Sequence, residues 1–474
     1  MFDLGLNPIL DTDSYKASHF LQYPHGTTGL FSYLESRGGR DEETVFFGLQ
    51  YLLKRYLSQR VTTEMVKEAE TFFHAHGVPF PREGWMHVAR DLQGRIPIRV
   101  RAVPEGTVVP THQVLMTVES TDAQVPWMTS WVETALMRIW YPVSVATQSW
   151  MIKRIILRYL EETADDPETE LPFKLHDFGS RGVSSQESAA IGGAAHLVNF
   201  MGSDTVAGIW LANQIYHHPM AAFSIPAAEH STMTAWGREG EVEAYRNMLT
   251  QFARPGSVVA VVSDSWDLWN ALENIWGGTL KEAVLSSGAT VVIRPDSGHP
   301  ATVVLRALRI LEERFGVTTN SKGFKVLNAV RIIQGDGVDR DSLQEVLELA
   351  RNHGYSATNL AFGMGGALLQ RLDRDTQKFA YKCSAVRIGD AWREVHKDPI
   401  TDPGKRSRGG RLDLIRTGDH FESLTYSHEA HANSVLQTVF ENGEVLHQTT
   451  LAEIRRRAWP VVPRQSAELV LGAC

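Results

Sequence analysis

The chain is poor in cysteine and contains no long apolar run. Its two cysteines, Cys383 and Cys474, are too few for a disulfide framework and are typical of a reducing compartment. No run of about 18 consecutive apolar residues is present, which argues against a membrane-spanning helix. The first residues, Met1 to Tyr15, lack the basic and apolar stretches of a secretory signal. We therefore expect a cytoplasmic protein without a membrane partner.

An excess of positive charge is also missing. The formal net charge is −8, and no basic stripe alternates with aromatic residues, so a nucleic-acid partner is not expected. The one dense basic run, residues 402–411, is typical of a solvated loop. An anionic ligand would therefore need a local cluster of cations. With 43% apolar and 22% charged residues, the composition is otherwise that of a globular protein with a substantial core.

Several enzyme motifs are absent or incomplete. No phosphate-binding GxxxxGK[ST] loop and no Gly-x-Ser-x-Gly elbow occur, which argues against a P-loop nucleotidase and a serine hydrolase. The glycine run 363–366 lacks the third glycine of a dinucleotide fingerprint, because position 368 is leucine. The histidines of the sequence 428–431 are spaced wrongly for a zinc helix. The glycine run still suits a helix N-terminus that holds a phosphate.

The middle of the chain repeats one pattern. Between Phe173 and Ala385, short apolar runs end abruptly in polar residues, at intervals of roughly 25 to 40 residues. The endings are His176-Asp177-Phe178-Gly179, Ser203-Asp204, Glu229-His230-Ser231, Ser263-Asp264-Ser265, Arg294-Pro295-Asp296-Ser297-Gly298, Gly335-Asp336-Gly337 and Gly363-Met364-Gly365-Gly366. Continuous Val/Ile runs are typical of buried parallel strands. The pattern predicts an α/β barrel whose active site lies at the carboxyl ends of its strands.

The regions on either side of the barrel differ from it in predicted secondary structure. The predicted segments are an α+β part at 1–150, the barrel at 151–384 and a β-rich part at 385–474. In the first segment we predict helices at 45–57 and 63–76 and β structure at 96–103 and 107–119. Two further helices are predicted at 127–140 and 144–163, separated by a break near Pro142; the second continues into the barrel segment. The last segment contains a hairpin signal at 435–448 with Asn442-Gly443 at its turn.

The strand-end residues favour a ligand that combines a sugar phosphate with a flat ring. Carboxylates can hold ribose hydroxyls or Mg²⁺, while arginines and backbone N–H groups hold phosphate. Phe178 offers an apolar surface for stacking in an otherwise polar motif. The predicted members of this mouth are Asp177, Asp204, Asp264, Asp267, Asp296, Asp336, Arg181, Arg294 and His230. Simpler roles stay open: Phe178 can fill the core, His230 can be structural, and Asp264 can cap a helix.

The ordered motifs resemble one family across nearly the whole chain, from about Asn7 to Gly443. The motifs that carry the resemblance are Asp13-Ser14-Tyr15-Lys16, His176-Asp177-Phe178-Gly179, Arg181-Gly182-Val183-Ser184-Ser185-Gln186-Glu187, Gly202-Ser203-Asp204-Thr205, Pro226-Ala227-Ala228-Glu229-His230-Ser231, Val262-Ser263-Asp264-Ser265, Arg294-Pro295-Asp296-Ser297-Gly298 and Gln334-Gly335-Asp336-Gly337. Together they resemble the nicotinamide phosphoribosyltransferases, which are type II phosphoribosyltransferases.

The resemblance implies a fold and a reaction. The fold would be the irregular, TIM-like α/β barrel of the type II phosphoribosyltransferases, with an α+β domain formed by the N- and C-terminal regions. The reaction would join nicotinamide to 5-phosphoribosyl 1-pyrophosphate, giving nicotinamide mononucleotide and pyrophosphate in NAD salvage. The resemblance further implies Mg²⁺, stimulation by ATP through phosphorylation of His230, and a homodimer with the active site at the subunit interface.

The resemblance also implies a role for individual residues. Phe178 and Tyr15 of the facing subunit would sandwich the pyridine ring, and Asp204 would accept a hydrogen bond from the carboxamide. Arg294, Asp296 and Asp336 would bind the ribose; Gly365, Gly366, Arg374 and Lys382 the 5′-phosphate; and Arg37, Arg181, Lys397 and Lys405 the pyrophosphate. Asp13, Ser224 and Gly335 complete the implied substrate-binding set. Glu229, Ser263 and Asp267 would surround His230, with Asp267 a candidate metal ligand.

Two departures and three alternatives accompany this interpretation. Ser180 stands where the animal enzymes of the resembled family have a tyrosine, and Ala367 replaces a third glycine. These departures affect the expected shape of the pocket and its substrate tolerance rather than the expected reaction. A nicotinate phosphoribosyltransferase is the nearest alternative, although the charge of Asp204 would repel a carboxylate. An aldolase-type barrel would use Lys382 as a Schiff-base lysine. An extracellular signalling protein is the alternative from a different class.

Overall fold

The computed structural model describes residues 7–427 and 431–459. Cys474 and residues 428–430, which include the first histidine of the sequence 428–431, lie outside this range. The chain divides into two compact units. The barrel unit comprises Gln148–Gln214 and His218–Arg371, and the sheet unit comprises the other described residues, which are 7–147, Ile215–His217 and 372–459. Within the described ranges, no helix is both long enough and apolar enough to cross a bilayer.

The barrel unit is built on six parallel strands. Their order across the sheet is Gly202–Ser203, Leu175–Asp177, Leu360–Met364, Val330–Gln334, Thr290–Arg294 and Val258–Val262. Single parallel bridges join Gly202 to Phe223 and Ala227 to Ala260. The segment 223–227 therefore links the two edge strands and closes the ring irregularly. The predicted α/β barrel is confirmed.

Helices and one small hairpin separate these strands. The helices Trp140–Thr163 and Val206–Tyr216 contribute residues to both units. The hairpin pairs Val317–Thr319 with Lys325–Leu327. The remaining helices of the barrel unit are Pro167–Glu170, Gln186–His196, His230–Thr234, Glu241–Phe252, Leu268–Asn270 continuing into the π-helix Ala271–Thr279, Lys281–Ser287, Pro300–Phe315, Arg340–Asn352 and Gly366–Leu369, with 3₁₀ turns at Leu171–Phe173, Ser180–Gly182, Arg238–Gly240 and Ala357–Asn359.

The sheet unit combines strands from both ends of the chain. Its seven-stranded antiparallel sheet has the order Ala391–Glu394, Phe379–Ile388, Thr27–Ser36, Val114–Ser120, Ile98–Ala102, Gln437–Glu441 and Glu444–Val445. Two strand pairs accompany it, Glu43–Val45 with Val108–Pro110 and Leu412–Thr417 with His420–Thr425. This arrangement confirms the predicted α+β part formed by the N- and C-terminal regions.

Helices of the sheet unit are mostly short. They are Leu49–Leu52 continuing into the π-helix Leu53–Leu57, Thr63–Ala75, Arg82–Arg90, Met128–Trp131, Glu133–Met137 and Leu451–Ala458, with 3₁₀ segments at Pro8–Leu10, Ser14–Leu21, Arg374–Thr376 and Pro403–Lys405. The predicted helix at 63–76 is confirmed, and Thr62 caps it by accepting the Met65 N–H.

The hairpin prediction is confirmed, and two helix boundaries are wrong. Asn442 and Gly443 both have positive φ, 48° and 84°, as the type I′ turn between the two paired strands requires. The expected break lies at 138–139 rather than at Pro142, which falls in the first turn of Trp140–Thr163, where a missing N–H costs no helical hydrogen bond. The expected helix at 127–140 is divided into Met128–Trp131 and Glu133–Met137. The expected helix at 45–57 begins only at Leu49, since Val45 belongs to a strand.

Candidate active site

The carboxyl ends of the parallel strands carry the predicted chemistry of the barrel unit. Asp177 and Arg294 are the last residues of their strands, and Asp204, Ser263 and Gly335 follow directly after three others. Parallel strands present their carboxyl ends at one edge of a sheet. The structure therefore brings residues that are far apart in sequence to one mouth.

Phe178 lies at this mouth, with its ring packed against the backbone of Gly363. Its N–H donates to the Met364 carbonyl at 3.0 Å, which fixes the residue just past the strand end. A Cβ at Gly363 would fall 1.9 Å from Phe178 Cε2, so only a glycine leaves room for the ring on the neighbouring strand. The ring also packs against a buried cluster of Ala260, Val292 and Ile333. Phe178 is thus a half-buried aromatic surface in a defined position.

Asp204 places a negative charge at the same end of the sheet. Its backbone N–H donates to the Asp177 carbonyl at 3.0 Å. The Ser224 hydroxyl donates to Asp204 Oδ1 at 2.5 Å, which leaves Oδ2 available to another donor. Both side chains are exposed. An oriented carboxylate of this kind accepts hydrogen bonds from an amide and repels an anion.

Asp177 is fully buried beneath these two residues. Its Oδ1 accepts the Gly179 N–H at 2.7 Å, and the Thr205 side chain faces the same carboxyl. Burial raises the pKa of Asp177 to about 6, with smaller opposing contributions from the Gly179 N–H and the nearby Thr205 hydroxyl, and the nearby charge of Asp204 raises it further. Asp177 therefore lies below the mouth and presents no atom to solvent.

His230 begins a short helix and contacts two carboxylates. His230 Nε2 lies 3.0 Å from Asp264 Oδ1, and its Nδ1 lies 3.9 Å from Asp296 Oδ2. The imidazole is 46% exposed, so a ligand can reach it. Asp296 also approaches Arg294, with 3.5 Å between Oδ1 and the guanidinium Nε. These four residues form a charged quartet: His230, Asp264, Asp296 and Arg294.

The charged quartet has an excess of acid. Burial raises the pKa of Asp296, the Arg294 guanidinium opposes that shift, and the Asp264 and Asp336 carboxylates reinforce it. His230 opposes it as well. The pKa shift shows that Asp336 belongs to the same electrostatic neighbourhood. Such a site favours hydroxyl groups or a cation over a free anion.

Asp264 is the member of the quartet to which the family resemblance gave no role, because a helix cap explained it equally well. The structure assigns the cap to Asp267 instead, whose Oδ1 accepts the Asn270 N–H at 3.1 Å. The position of Asp264, two residues after the buried strand Val258–Val262, was the available signal. Sequence spacing cannot show which of two nearby acids turns toward the histidine.

Two of the expected neighbours of His230 make other contacts. Ser263 is fully buried, donates to the Val261 carbonyl at 3.1 Å and accepts the Trp276 indole N–H at 3.1 Å. Glu229 caps the helix His230–Thr234 and accepts a hydrogen bond from Ser231. Both residues therefore have structural roles at this position.

The predicted phosphate residues of the barrel unit lie around one glycine turn. Arg181 is exposed in the 3₁₀ turn Ser180–Gly182. A Cβ at Gly182 would lie 3.3 Å from the Gly366 nitrogen, so this turn approaches the start of the helix Gly366–Leu369. A Cβ at Gly366 would meet no atom within 4 Å, which shows open space in front of the backbone. An arginine and accessible backbone N–H groups suit a phosphate.

The sheet unit carries the other predicted cations. Burial lowers the pKa of Lys382; Glu133 opposes the shift, while the positive charges of Arg37, Lys397 and Arg374 add to it. Lys382 therefore lies within a cationic cluster, as expected for a phosphate site. Lys405 is exposed and pairs with Asp402 at 3.1 Å.

A cavity of about 420 Å³ in the sheet unit is lined partly by Arg37. Arg37 Nε donates to Glu35 at 2.8 Å, while its buried Nη2 has no hydrogen-bond partner within the described part of the chain.

Two further predicted residues lie near the start of the described chain. Tyr15 is 60% exposed, and its ring meets the His19 ring edge-on at 4.9 Å. Asp13 accepts the Thr134 hydroxyl at 2.7 Å. The exposed Tyr15 ring is available to stack on a ligand. The Asp13 carboxylate is instead engaged by its hydrogen bond with Thr134.

Comparisons with known proteins identify the family to which the chain is similar. The family model for the nicotinate phosphoribosyltransferase (NAPRTase) family matches residues 173–444, and that for the nicotinamide phosphoribosyltransferase N-terminal domain matches residues 7–100. A nicotinamide phosphoribosyltransferase of Xanthomonas campestris pv. campestris is 58% identical, covering 95% of this chain and 98% of that protein. One of Acinetobacter baylyi is 32% identical, covering 95% and 97%.

Solved structures share the fold at low sequence identity. A nicotinate-nucleotide pyrophosphorylase from Pyrococcus furiosus has a TM-score of 0.60 at 16% identity, covering 97% of this chain and 96% of that one. Human nicotinic acid phosphoribosyltransferase has a TM-score of 0.55 at 17% identity, covering 94% and 92%. The fold is that of the phosphoribosyltransferases. The chain belongs to the nicotinate phosphoribosyltransferase family, and the predicted membership is confirmed.

The buried carboxyl of Asp177 makes the stability of the fold depend on pH. Its pKa of about 6 lies above the ordinary value of 3.8, so its stabilising contribution is complete below pH 3.8 and is lost as the pH rises through about 6. Between about pH 5 and pH 7.5, wild type should lose roughly 1.4 kcal/mol of unfolding free energy relative to Asp177→Asn. Denaturant titrations of both proteins at the two pH values measure this difference. A difference that is independent of pH would contradict the assignment.

Proposed function

We propose that this enzyme is a nicotinamide phosphoribosyltransferase that serves NAD salvage. The observation that carries the proposal is that the Phe178 ring and the Asp204 carboxylate lie at neighbouring strand ends of the same mouth. The Ser224 hydroxyl orients that carboxylate by a hydrogen bond. A flat ring on Phe178 would offer its carboxamide N–H₂ to Asp204, whereas a nicotinate carboxylate would meet a like charge. The names of the relatives at 58% and 32% identity support the same substrate.

The sugar phosphate would occupy the rest of the mouth. Arg294, Asp296 and Asp336 suit the ribose of 5-phosphoribosyl 1-pyrophosphate, since they combine carboxylate acceptors with a guanidinium donor. Arg181 and the open backbone at Gly366 suit a phosphate. In the sheet unit, the cationic cluster around Lys382 is likewise suited to phosphate groups.

The reaction exchanges one bond at ribose C1. The bond between C1 and the pyrophosphate oxygen breaks, pyrophosphate leaves with the electron pair, and the ring nitrogen of nicotinamide forms the new bond to C1. No general base is needed, because that nitrogen carries no proton. Positive charge develops on the sugar and negative charge on the leaving group, so fixed acids near the ribose and cations near pyrophosphate both lower the barrier.

The residues at the mouth fit a magnesium ion that is held mainly by substrate. In the described ranges, no group of three or more His, Cys, Asp or Glu side chains is arranged as a metal site. Mg²⁺ commonly uses only one or two carboxylates together with substrate phosphates. Asp264 and Asp296 of the charged quartet supply that donor type; Asp267, the predicted ligand, already caps a helix. When bound, the ion would neutralise charge on pyrophosphate.

ATP stimulation would act through His230. Asp264 accepts from His230 Nε2–H, which leaves the Nδ1 lone pair free to attack the γ-phosphate of ATP. The N–P bond forms, the bond to the leaving ADP oxygen breaks, and ADP departs. The phosphorylated histidine would add negative charge beside Asp296, able to bind Mg²⁺ and thereby order the pyrophosphate donor.

A cytoplasmic homodimer completes the proposal. The exposed Tyr15 ring would stack on nicotinamide in the facing subunit, and Arg37 would reach its pyrophosphate. The partly buried free thiol of Cys383 and the low cysteine content suit a reducing compartment.

A direct assay tests the proposed reaction. Purified protein is incubated with Mg²⁺, 5-phosphoribosyl 1-pyrophosphate and either nicotinamide or nicotinate, with and without ATP, and mononucleotide is quantified. We expect product from nicotinamide, increased by ATP, and at most a trace from nicotinate. Product from nicotinate alone would preserve the fold and reverse the assigned selectivity. Absence of product from both would remove the proposed function.

Removing the charge of Asp204 should relax base selectivity. We expect Asp204→Asn to narrow the ratio of kcat/KM between nicotinamide and nicotinate by at least about tenfold, because the like-charge repulsion is lost. Ser224→Ala should lower kcat/KM for nicotinamide by about 5- to 10-fold, since a charge-assisted hydrogen bond that orients Asp204 is removed. Asp341→Asn, an exposed carboxylate on the helix Arg340–Asn352, is the matched control. Unchanged selectivity in Asp204→Asn excludes its role.

Removing the phosphorylated side chain should uncouple synthesis from ATP. We expect His230→Ala to retain slow synthesis without stimulation, and Asp264→Asn to reduce stimulation at least about tenfold because the histidine tautomer is no longer fixed. Phosphohistidine is followed with ATP labelled at the γ-phosphate. His353→Ala, an exposed histidine on another helix end, serves as the control. Full stimulation in His230→Ala would rule out this route.

A further inference from the structure

The strand Leu175–Asp177 carries Phe178 at its end and pairs with the strand Gly202–Ser203, which carries Asp204. Asp177 pairs with Met364 on one side and with Ser203 on the other. Phe178 follows Asp177 in the chain, and Asp204 follows Ser203. The main chain at Asp177 is therefore the point where the proposed ring-stacking residue and the proposed amide acceptor meet.

Two hydrogen bonds tie both residues to this point. The Asp177 carbonyl accepts the Asp204 N–H at 3.0 Å, and the Asp177 carboxylate accepts the Gly179 N–H at 2.7 Å. The first bond fixes the start of the loop that carries Asp204. The second closes the turn around Phe178, so that one residue controls the backbone on both sides of the base pocket.

Close packing seals the Asp177 carboxyl. A Cβ at Gly193 would lie 3.4 Å from Asp177 Oδ2 and 3.0 Å from the Gly208 Cα, so two helices approach each other over this carboxyl. A Cβ at Gly179 would lie 2.6 Å from Leu369. The turn has little freedom to move while the carboxylate holds it.

We propose that Asp177 is a positioning residue for nicotinamide, which fixes Phe178 and Asp204 relative to each other without contacting the ligand. This inference rests on the proposed function. Loss of the carboxylate frees the Gly179 N–H and loosens the turn around Phe178, so it should weaken the base site most. The ribose meets another strand end, at Arg294. The proposed phosphate residue Arg181 follows Gly179 by two residues but is one of several phosphate contacts, so binding of the sugar phosphate should change far less than binding of nicotinamide.

The test compares nicotinamide with the sugar phosphate in Asp177→Ala, Asp177→Asn and a matched control. Calorimetry gives the dissociation constants of nicotinamide and of 5-phosphoribosyl 1-pyrophosphate, and steady-state kinetics give KM and kcat. We expect Asp177→Ala to weaken nicotinamide at least about tenfold and the sugar phosphate less than about twofold. Asp177→Asn keeps an oxygen acceptor for Gly179, so it should stay within about threefold of wild type.

The control separates positioning from general destabilisation. Asp413→Asn alters another fully buried carboxylate, which pairs with Arg101 in the sheet unit, and should not weaken nicotinamide selectively. Amide hydrogen exchange should be faster at Gly179 in Asp177→Ala and near wild type in Asp177→Asn.

Equal weakening of both ligands, or wild-type nicotinamide binding in Asp177→Ala, would overturn the inference while leaving the proposed function intact. If Asp177→Ala does not fold, equal losses of both ligands in Asp177→Asn would overturn it in the same way. Failure of wild type to bind nicotinamide would overturn both.

Discussion

Parallel pairing of the central strands is the constraint on which the rest of the molecule depends. It aligns six carboxyl ends at one edge, and the bridges at Phe223 and Ala227 close the ring that these strands form. Each strand end contributes only a few of the candidate site residues. The site exists because hydrogen bonding between backbones, which is indifferent to side chains, brings Asp177, Asp204 and Arg294 to the same place.

The two units differ in the sign of their local charge. In the barrel unit, carboxylates outnumber the cations of the charged quartet, and burial makes Asp296 harder to ionise. In the sheet unit, burial lowers the pKa of Lys382, and the neighbouring cations Arg37, Lys397 and Arg374 lower it further. A chain of net charge −8 can thus carry a local excess of positive charge.

Much of this arrangement could be predicted from sequence, because backbone pattern and motif order are local properties. The barrel and the Asn442-Gly443 hairpin follow from spacing and turn chemistry. Side-chain direction could not be predicted. Asp264 and Asp267 lie three positions apart in one loop, and only the fold shows that the first meets His230 while the second caps a helix. The burial of Ser263 was missed for the same reason.

The glycine at position 363 constrains how this part of the barrel can vary in evolution. Since a Cβ there would lie 1.9 Å from the Phe178 ring, the two positions form one steric unit although they lie 185 positions apart in the chain. A side chain at 363 would therefore force the Phe178 ring to move or require a smaller residue at 178, and either change would alter the aromatic surface at the end of the strand. Substitutions at these two positions are thus coupled, and neither is expected to be accepted without an adjustment at the other.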